Sequence, residues 1–200
     1  MNLGRMCEAA ARYSDRYDEY VKTLNEEGKE EFEGEALHWF KIFRDAINEA
    51  YFEVSRARLT PEVRLEYVMG DERVIDMKDL LPQVCSVCGV YRADGQTGVE
   101  FVFRNRTEIE VKSVHSGEKL ILHYHYLPEP LAKEYDEPIF PESLVDPSVY
   151  IALAVARVWQ SERKMGAAQM WLNEYYQKLR SLRGSVRSGV RRRLPRTLFR

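Results

Sequence analysis

The sequence predicts an α+β protein, because helical and extended patterns occupy separate parts of the 200-residue chain. Near both ends, apolar residues recur at intervals of three and four, which is typical of helices with one buried face. Between these regions apolar and polar residues alternate, as in an antiparallel sheet with one wet face. We therefore expect a four-helix bundle core with an antiparallel β-sheet insertion between the second and third helices.

Two helices are predicted before the sheet. The first covers residues 3–24, where charged side chains fill the face opposite the apolar stripe. The second covers residues 35–58, and Thr60-Pro61 ends it because proline disfavours helical geometry in the residue before it. Each helix carries one broad apolar face, so each needs a packing partner.

The predicted β insert covers residues 64–127. No helical pattern separates its strands, which excludes the crossover connections of a parallel sheet. Residues that favour tight turns stand between the strands. These turn signals are Asp94-Gly95, Asn105-Arg106 and Ser116-Gly117. The insert is therefore expected to be an antiparallel meander.

Two more helices are predicted after a proline-rich connector. The third covers residues 147–163, with Asp146 as its N-cap and Pro147 at its first position. It is apolar almost all round, so it should be the most buried helix. The fourth covers residues 165–183, and Gly184-Ser185 is expected to end it.

These elements are expected to form a single domain over residues 1–183, followed by a basic tail over residues 184–200. From Gln177 to Arg200 there are nine basic residues and no acidic ones, whereas the preceding chain has 21 basic and 32 acidic residues. Eight of the nine are arginines, whose planar fork binds carboxylate or phosphate with two hydrogen bonds.

Two kinds of partner fit this tail: the backbone of a nucleic acid, or an acidic groove on another protein. Apolar residues between the arginines favour the groove, because a segment that folds on binding needs something to bury. The candidate docking residues are Arg183, Arg187, Val190, Arg191, Arg192, Arg193, Leu194, Arg196, Leu198, Phe199 and Arg200.

Cys85 and Cys88 have the spacing of a zinc-binding pair, and His123 and His125 could supply two further ligands. Strand geometry argues against this site, because residues three apart on a regular strand point to opposite faces. We therefore expect ordinary sheet positions, with no metal and no cofactor. Three cysteines also do not make a disulfide framework.

The sequence contains no glycine-rich phosphate loop, no nucleophile elbow and no His-Glu-x-x-His helix, so we expect no enzyme. The acidic residues between 71 and 79 are interpreted as a solvated loop, and His38 as a surface residue. The longest apolar run, residues 149–156, is too short to cross a membrane, and no secretory leader is expected.

Four stretches carry a resemblance to a known family: Trp39–Ala50, Leu122–Pro130, Ile139–Leu144 leading into an alanine-rich helix, and Ala167–Leu179. In this order, and with a charged C-terminal extension, they resemble the head-to-tail adaptor (connector) proteins of tailed bacteriophages. The resemblance covers most of the chain and is one of pattern and order.

The resemblance implies a structural virion protein that forms a ring, usually twelve-fold, below the portal. Such a ring extends the DNA channel and joins a tail or further neck protein, and double-stranded DNA passes it without specific recognition. The implied location is the virion neck, after assembly in the host cytoplasm. Residues 184–200 would reach into the portal, and residues 64–127 would contribute to the ring wall or to the tail-facing side. The alternative is a nucleic-acid-binding protein that uses the same arginines.

Overall fold

The computed structural model describes three stretches of the chain: residues 1–24, 30–57 and 59–187. The chain divides into two compact units. The unit that we call the helical unit combines Met1–Val54 with the chain from Pro130 onward, and the β unit is Ser55–Glu129. The helical unit is thus made from two separate stretches of sequence.

The described residues form five α-helices. Their bounds are α1 Leu3–Tyr13, α2 Tyr17–Tyr20, α3 Gly34–Ala57, α4 Ser148–Ser161 and α5 Met165–Arg187. A pair of two-residue strands, β1 (Thr23–Leu24) and β2 (Glu30–Glu31), lies between α2 and α3. The expectation that Gly184-Ser185 ends the last helix is wrong, since the α5 backbone is helical to Arg187.

The first predicted helix breaks after Tyr13. The hydroxyl of Ser14 donates to the Ala10 carbonyl at 2.7 Å, and Asp15 has a left-handed φ of 56°. The N–H of Arg16 then donates to the Ala11 carbonyl at 2.9 Å, which closes the turn. Because α2 resumes helical geometry after this turn, the apolar spacing of three and four continues across the break and conceals it.

Helix α4 is buried along nearly its whole length, as its apolar sequence predicts. The helix begins at Ser148, one residue later than expected. The Asp146 carboxylate accepts a hydrogen bond from the Ser148 N–H at 2.8 Å, and hydrogen bonding from Ser148 holds the pKa of Asp146 below its usual value. Asp146 therefore accepts a hydrogen bond at the start of the helix as predicted, but the N-cap residue is Pro147, one position later than expected.

The helices do not pack as a four-helix bundle. Close packing joins α1 to α4 and α4 to α5. Helix α3 contacts α4 and α5 through long side chains: the rings of Tyr51 and Tyr150 meet edge to face at 6.0 Å, and the Tyr175 hydroxyl donates to Glu53 at 2.6 Å. Large aromatic side chains in these contacts replace the close fit of bundle helices.

The β unit contains two antiparallel sheets with seven strands. One sheet has the order β3-β9-β5-β6 and the other the order β4-β8-β7. The strands are β3 Glu62–Val68, β4 Val74–Asp76, β5 Val84–Arg92, β6 Gly98–Val99, β7 Phe101–Phe103, β8 Glu108–Val111 and β9 Lys119–Tyr126. The antiparallel prediction is confirmed, but the meander is wrong because β9 lies between β3 and β5.

Both sheets contribute to one hydrophobic core. Ile75 of β4 and Ile109 of β8 cluster with Val90 of β5 and with Leu122 and Tyr124 of β9. The extended segments therefore bury their apolar faces against each other. The predicted four-helix bundle with one inserted sheet is wrong: in the described chain the long helices come before and after the β unit in sequence, and the β unit has two sheets with a core of their own.

Candidate functional site

The proposed docking segment begins on α5. Arg183 and Arg187 lie in the last turns of this helix. The other candidate docking residues lie outside the described part of the chain: Val190, Arg191, Arg192, Arg193, Leu194, Arg196, Leu198, Phe199 and Arg200. Their role as a partner-binding segment stays a prediction.

The residues that precede this segment fix α5 to the helical unit. Tyr175, Leu179 and Leu182 are buried, at the helical spacing of four and three that the sequence predicts. Burial, together with the hydrogen bond to Glu53, raises the pKa of Tyr175, so its phenol stays neutral and donates to the carboxylate. The basic segment therefore starts from a firmly packed helix.

The cysteines of the proposed zinc pair are the extra residues of two β-bulges in β5. Consecutive residues of β9, from Tyr126 to Leu122, skip Cys85 and Cys88 and pair with Val84, Ser86, Val87, Gly89 and Val90. Valines at intervals of three therefore pack on the same core. Both cysteines are exposed, at equivalent positions of the two bulges. The two cysteines therefore do not point to opposite faces as a regular strand would require, because each bulge adds one residue to β5.

The two histidines lie on the face of the four-stranded sheet that is opposite the hydrophobic core of the β unit, and there His123 is buried and His125 is half-buried. Their neighbours on β9, Leu122 and Tyr124, point into the core, so His123 and His125 point the other way. Glu62 of β3 lies between the two imidazoles. Its Oε2 atom is 3.0 Å from Nε2 of His123, and its Oε1 atom is 3.9 Å from Nδ1 of His125. One carboxylate thus links the two rings across the β3–β9 pair.

Within the described stretches, no group of three or more His, Cys, Asp or Glu side chains has a geometry that could hold a metal ion. The structure brings the two histidines to Glu62 but does not complete a ligand set with the two cysteines. The expectation that the chain binds no metal stays a prediction.

Gly89 has a packing role on the same face of the sheet. A Cβ atom at this position would come within 2.9 Å of the Tyr91 ring, so the ring lies directly over the glycine. The Tyr91 ring centroid is also 6.5 Å from that of His123. Glycine in the second bulge thereby lets the aromatic side chain cover the strand.

The helical unit also contains a groove of about 520 Å³ that the sequence patterns did not predict. Its walls carry aromatic rings and its rim carries paired charges, including Lys22 and Glu134, whose Nζ and Oε2 atoms are 2.6 Å apart. The aromatic residues of its lining are Tyr17, Tyr20, Phe32 and Tyr135. Residues so far apart in sequence meet only through folding, although a cluster of tyrosines in the first 20 residues was a signal.

Cys7 lies beside Tyr20 in the helical unit and is fully buried. Burial raises the pKa of this thiol to about 12, so it stays protonated at neutral pH. A protonated, inaccessible thiol is a poor nucleophile. Cys7 therefore acts as a small apolar core residue.

Two of the acidic residues between positions 71 and 79 accept hydrogen bonds that stabilise turns. Asp71 accepts a hydrogen bond from the Ser116 hydroxyl, and Asp76 accepts one from the Lys78 N–H at 2.9 Å. His38 is exposed on α3, as expected, with its ring 5.7 Å from that of Trp39. These contacts give the residues structural roles at element ends and on the surface.

The fold defines an α+β protein in which a helical unit, made from two stretches of sequence, leads through its last helix into an arginine-rich segment. No known family model matches the chain, and no curated protein sequence matches it either. Among the helices of the described residues, none is both long enough and apolar enough to span a membrane.

Proposed function

We propose that this chain is a structural protein of a phage neck, where it forms the adaptor ring below the portal and joins head to tail. The order of the chain carries the proposal. Two stretches of sequence form the helical unit, the stretch between them forms the β unit, and the basic residues continue from the last turns of α5 to Arg200. This order of helices, β insert and charged C-terminal extension resembles that of adaptor proteins, and the density of arginine in the extension is where the chain departs from many of them.

The attachment of α5 supports a docking role for the segment that follows it. Buried Tyr175 and Leu179 hold the helix, so a force on the segment would be transmitted to the body of the protein. In a ring, many copies of one weak segment act together, because each bound copy raises the effective concentration of the next. Weak contacts of single segments then add up to firm attachment.

Charge also supports a place beside the DNA channel. The chain before Gln177 has 11 more acidic than basic residues. A negative wall repels phosphate and so lets DNA pass without binding. The arginines are concentrated in the segment that is proposed to bind the portal.

A truncation after Arg187 tests the proposal and keeps every residue that the structure describes. We expect the truncated chain to have an unchanged circular dichroism spectrum and to lose binding to the portal protein of the same virus, measured by co-sedimentation. Full binding by the truncated chain would contradict the docking role of the segment.

A matched control replaces Arg191, Arg192 and Arg193 with lysine, which keeps the charge but removes the bidentate fork. Portal binding that depends on carboxylate pairing should weaken in this variant. Labelling of intact particles with an antibody to the chain then tests the location. Label at the neck supports the adaptor assignment, and label confined to the capsid or tail tip contradicts it.

The alternative, a nucleic-acid-binding protein, is favoured by the run of three adjacent arginines at 191–193. It predicts that the affinity of the full chain for any DNA falls steeply with salt, with a slope set by the number of phosphates contacted. Failure to bind DNA at low salt would exclude this alternative and leave the adaptor proposal standing.

A further inference from the structure

Strand β3 is the longest strand at a sheet edge in the described residues. It has seven residues, whereas the edge strands β4, β6 and β7 have three, two and three. Its pairing with β9 runs from Glu62 to Val68 without a bulge. Natural proteins usually shorten, bend or cover such edges, because unpaired N–H and C=O groups invite another strand.

The apolar side of this edge is incompletely covered. Val63, Leu65 and Tyr67 point toward the core but stay half-buried, whereas Leu120 and Leu122 on the neighbouring strand β9 are fully buried. The described chain places no strand on the far side of β3. An additional strand there would bury the exposed parts of these three side chains.

The backbone of β3 offers its even-numbered residues to a partner. Backbone hydrogen bonds to the β9 side of the sheet flank β3 at both ends. The Tyr126 N–H donates to the carbonyl of Pro61, just before the strand, at 3.0 Å, and the N–H of Met69, just after it, donates to the Glu118 carbonyl at 2.9 Å. Since hydrogen-bonded pairs alternate along an antiparallel ladder, the odd residues bond to β9. The N–H and C=O groups of Glu62, Arg64 and Glu66 therefore point away from the sheet.

The length of β3 and the charges on these residues together select one partner and one register. A two-fold axis at Leu65 pairs all seven residues of the strand, whereas an axis at Val63, which also places Glu62 opposite Arg64, pairs only residues 62–64. If a second copy of β3 pairs with the first about a two-fold axis at Leu65, Arg64 of each copy lies opposite Glu66 of the other. An axis at Arg64 would place arginine against arginine, and an axis at Glu66 would place glutamate against glutamate. Opposite charges in facing positions stabilise a strand pair, and like charges destabilise it.

We infer that β3 is a self-association edge, where two copies of this chain join their four-stranded sheets through antiparallel β3–β3 pairing centred on Leu65. The same register places Val63 opposite Tyr67 and Leu65 opposite itself, so the apolar faces of the two sheets become continuous. Such a two-fold contact uses the same surface on both partners, whereas a closed ring with more than two members needs two different surfaces. The inference therefore goes beyond the proposed ring and does not rest on it.

A charge-reversal cycle on the full chain tests the register. Arg64→Glu and Glu66→Arg each place like charges opposite one another at two symmetric positions, and we expect each to raise the dimer dissociation constant about tenfold in sedimentation equilibrium. The double variant restores opposite charges and should return to the wild-type value. A monomeric wild-type chain at its solubility limit, or a double variant no tighter than the single variants, would overturn the inference.

Disulfide trapping gives a second readout that does not depend on charge. With Cys85 and Cys88 changed to serine, Leu65→Cys places two thiols at a facing non-hydrogen-bonded pair, with Cα atoms about 4.5 Å apart, within the range of a disulfide. Oxidised glutathione should convert these two thiols to one intermolecular disulfide and release reduced glutathione.

The matched control is Val63→Cys in the same background. In the inferred register, Val63 is four residues along the strand from its own copy, about 13 Å away, which is too far for a disulfide. Selective cross-linking of the Leu65 variant supports the pairing. Equal cross-linking of both variants, or none in either, contradicts it.

Discussion

Strands β3 and β5 pair with opposite sides of the same strand, β9, but their own outer edges differ. The β3 pairing is regular, with Val63, Leu65 and Tyr67 facing the core at intervals of two. The β5 pairing has two bulges, so its core residues recur at intervals of three. One strand thus leaves a straight edge, and the other leaves an edge interrupted twice.

The difference shows how one sheet can limit association to one side. A bulge twists a strand and disturbs the row of N–H and C=O groups on its edge. On β5 this happens at Cys85 and Cys88, in the part of the strand that β6 does not cover. On β3 the row is intact, and its charges favour a second copy of the same strand.

The largest expected effect is a difference in the free energy of unfolding between a truncation on the central strand β9 and one on the open edge strand β3. Leu122→Ala on β9 should lower the free energy of unfolding by about 3 kcal/mol, because Leu122 is fully buried and the change leaves a cavity. Leu65→Ala on β3 should cost only about 1 kcal/mol, since half-burial loses less transfer free energy. Urea unfolding at low protein concentration measures both values, and equal losses would show that β3 is not an open edge.

A second prediction converts the interrupted edge into a straight one. Deletion of both Cys85 and Cys88 leaves every remaining pair between β5 and β9 unchanged, because both are extra residues. We expect the free energy of unfolding to change by about 1 kcal/mol or less, which is common for changes outside a core. The new straight edge should increase self-association, measured by light scattering.

The control for this deletion is Cys85→Ala with Cys88→Ala, which removes the thiols and keeps both bulges. This variant should associate like the wild type. If the deletion variant also associates like the wild type, the bulges do not protect the β5 edge.

The smallest effect concerns the turn that joins β5 to β6. Strand β6 is the second partner of β5 in the described chain and pairs with Val90 and Tyr91. Hydrogen bonds from the Thr97 hydroxyl and from the N–H groups of Thr97 and Gln96 lower the pKa of Asp94. A carboxylate whose pKa is lowered by folding stabilises the fold above its unfolded pKa, and the contribution disappears as the pH falls through the folded pKa.

The stability difference between the wild type and Asp94→Ala should therefore be largest near neutral pH and shrink in acid. Thermal unfolding of both proteins from neutral pH to below the normal carboxyl range measures this difference. A difference that stays constant across this range would show that the ionised form has no special role in the turn.

Local sequence patterns predicted the parts of this fold that depend on near neighbours. The apolar sequence of α4 predicts its burial, and Asp94-Gly95 predicts a turn in which Gly95 takes a left-handed φ of 68°. The antiparallel direction follows from short connections between strands. In each case the residues that decide the structure are adjacent or one helical turn apart.

Long-range contacts decided the rest. The helix ends at Tyr13, but the turn after it keeps the apolar spacing of three and four residues. Periodicity therefore cannot detect this break. The bulges at Cys85 and Cys88 are defined by the partner strand β9, more than 30 residues later. The pairing of β9 with β3 brings Glu62 to both histidines. Neither feature has a local signature in composition or period.

The sequence by itself determined the α+β class, the antiparallel strands, the buried α4 and the separation of an acidic body from an arginine-rich end. Tertiary structure alone decided which strands are neighbours, how the two sheets form one core, and which edge stays straight. The physical reason is that periodicity reports which face of a segment is apolar. The partner that covers this face is chosen by packing among segments far apart in the chain.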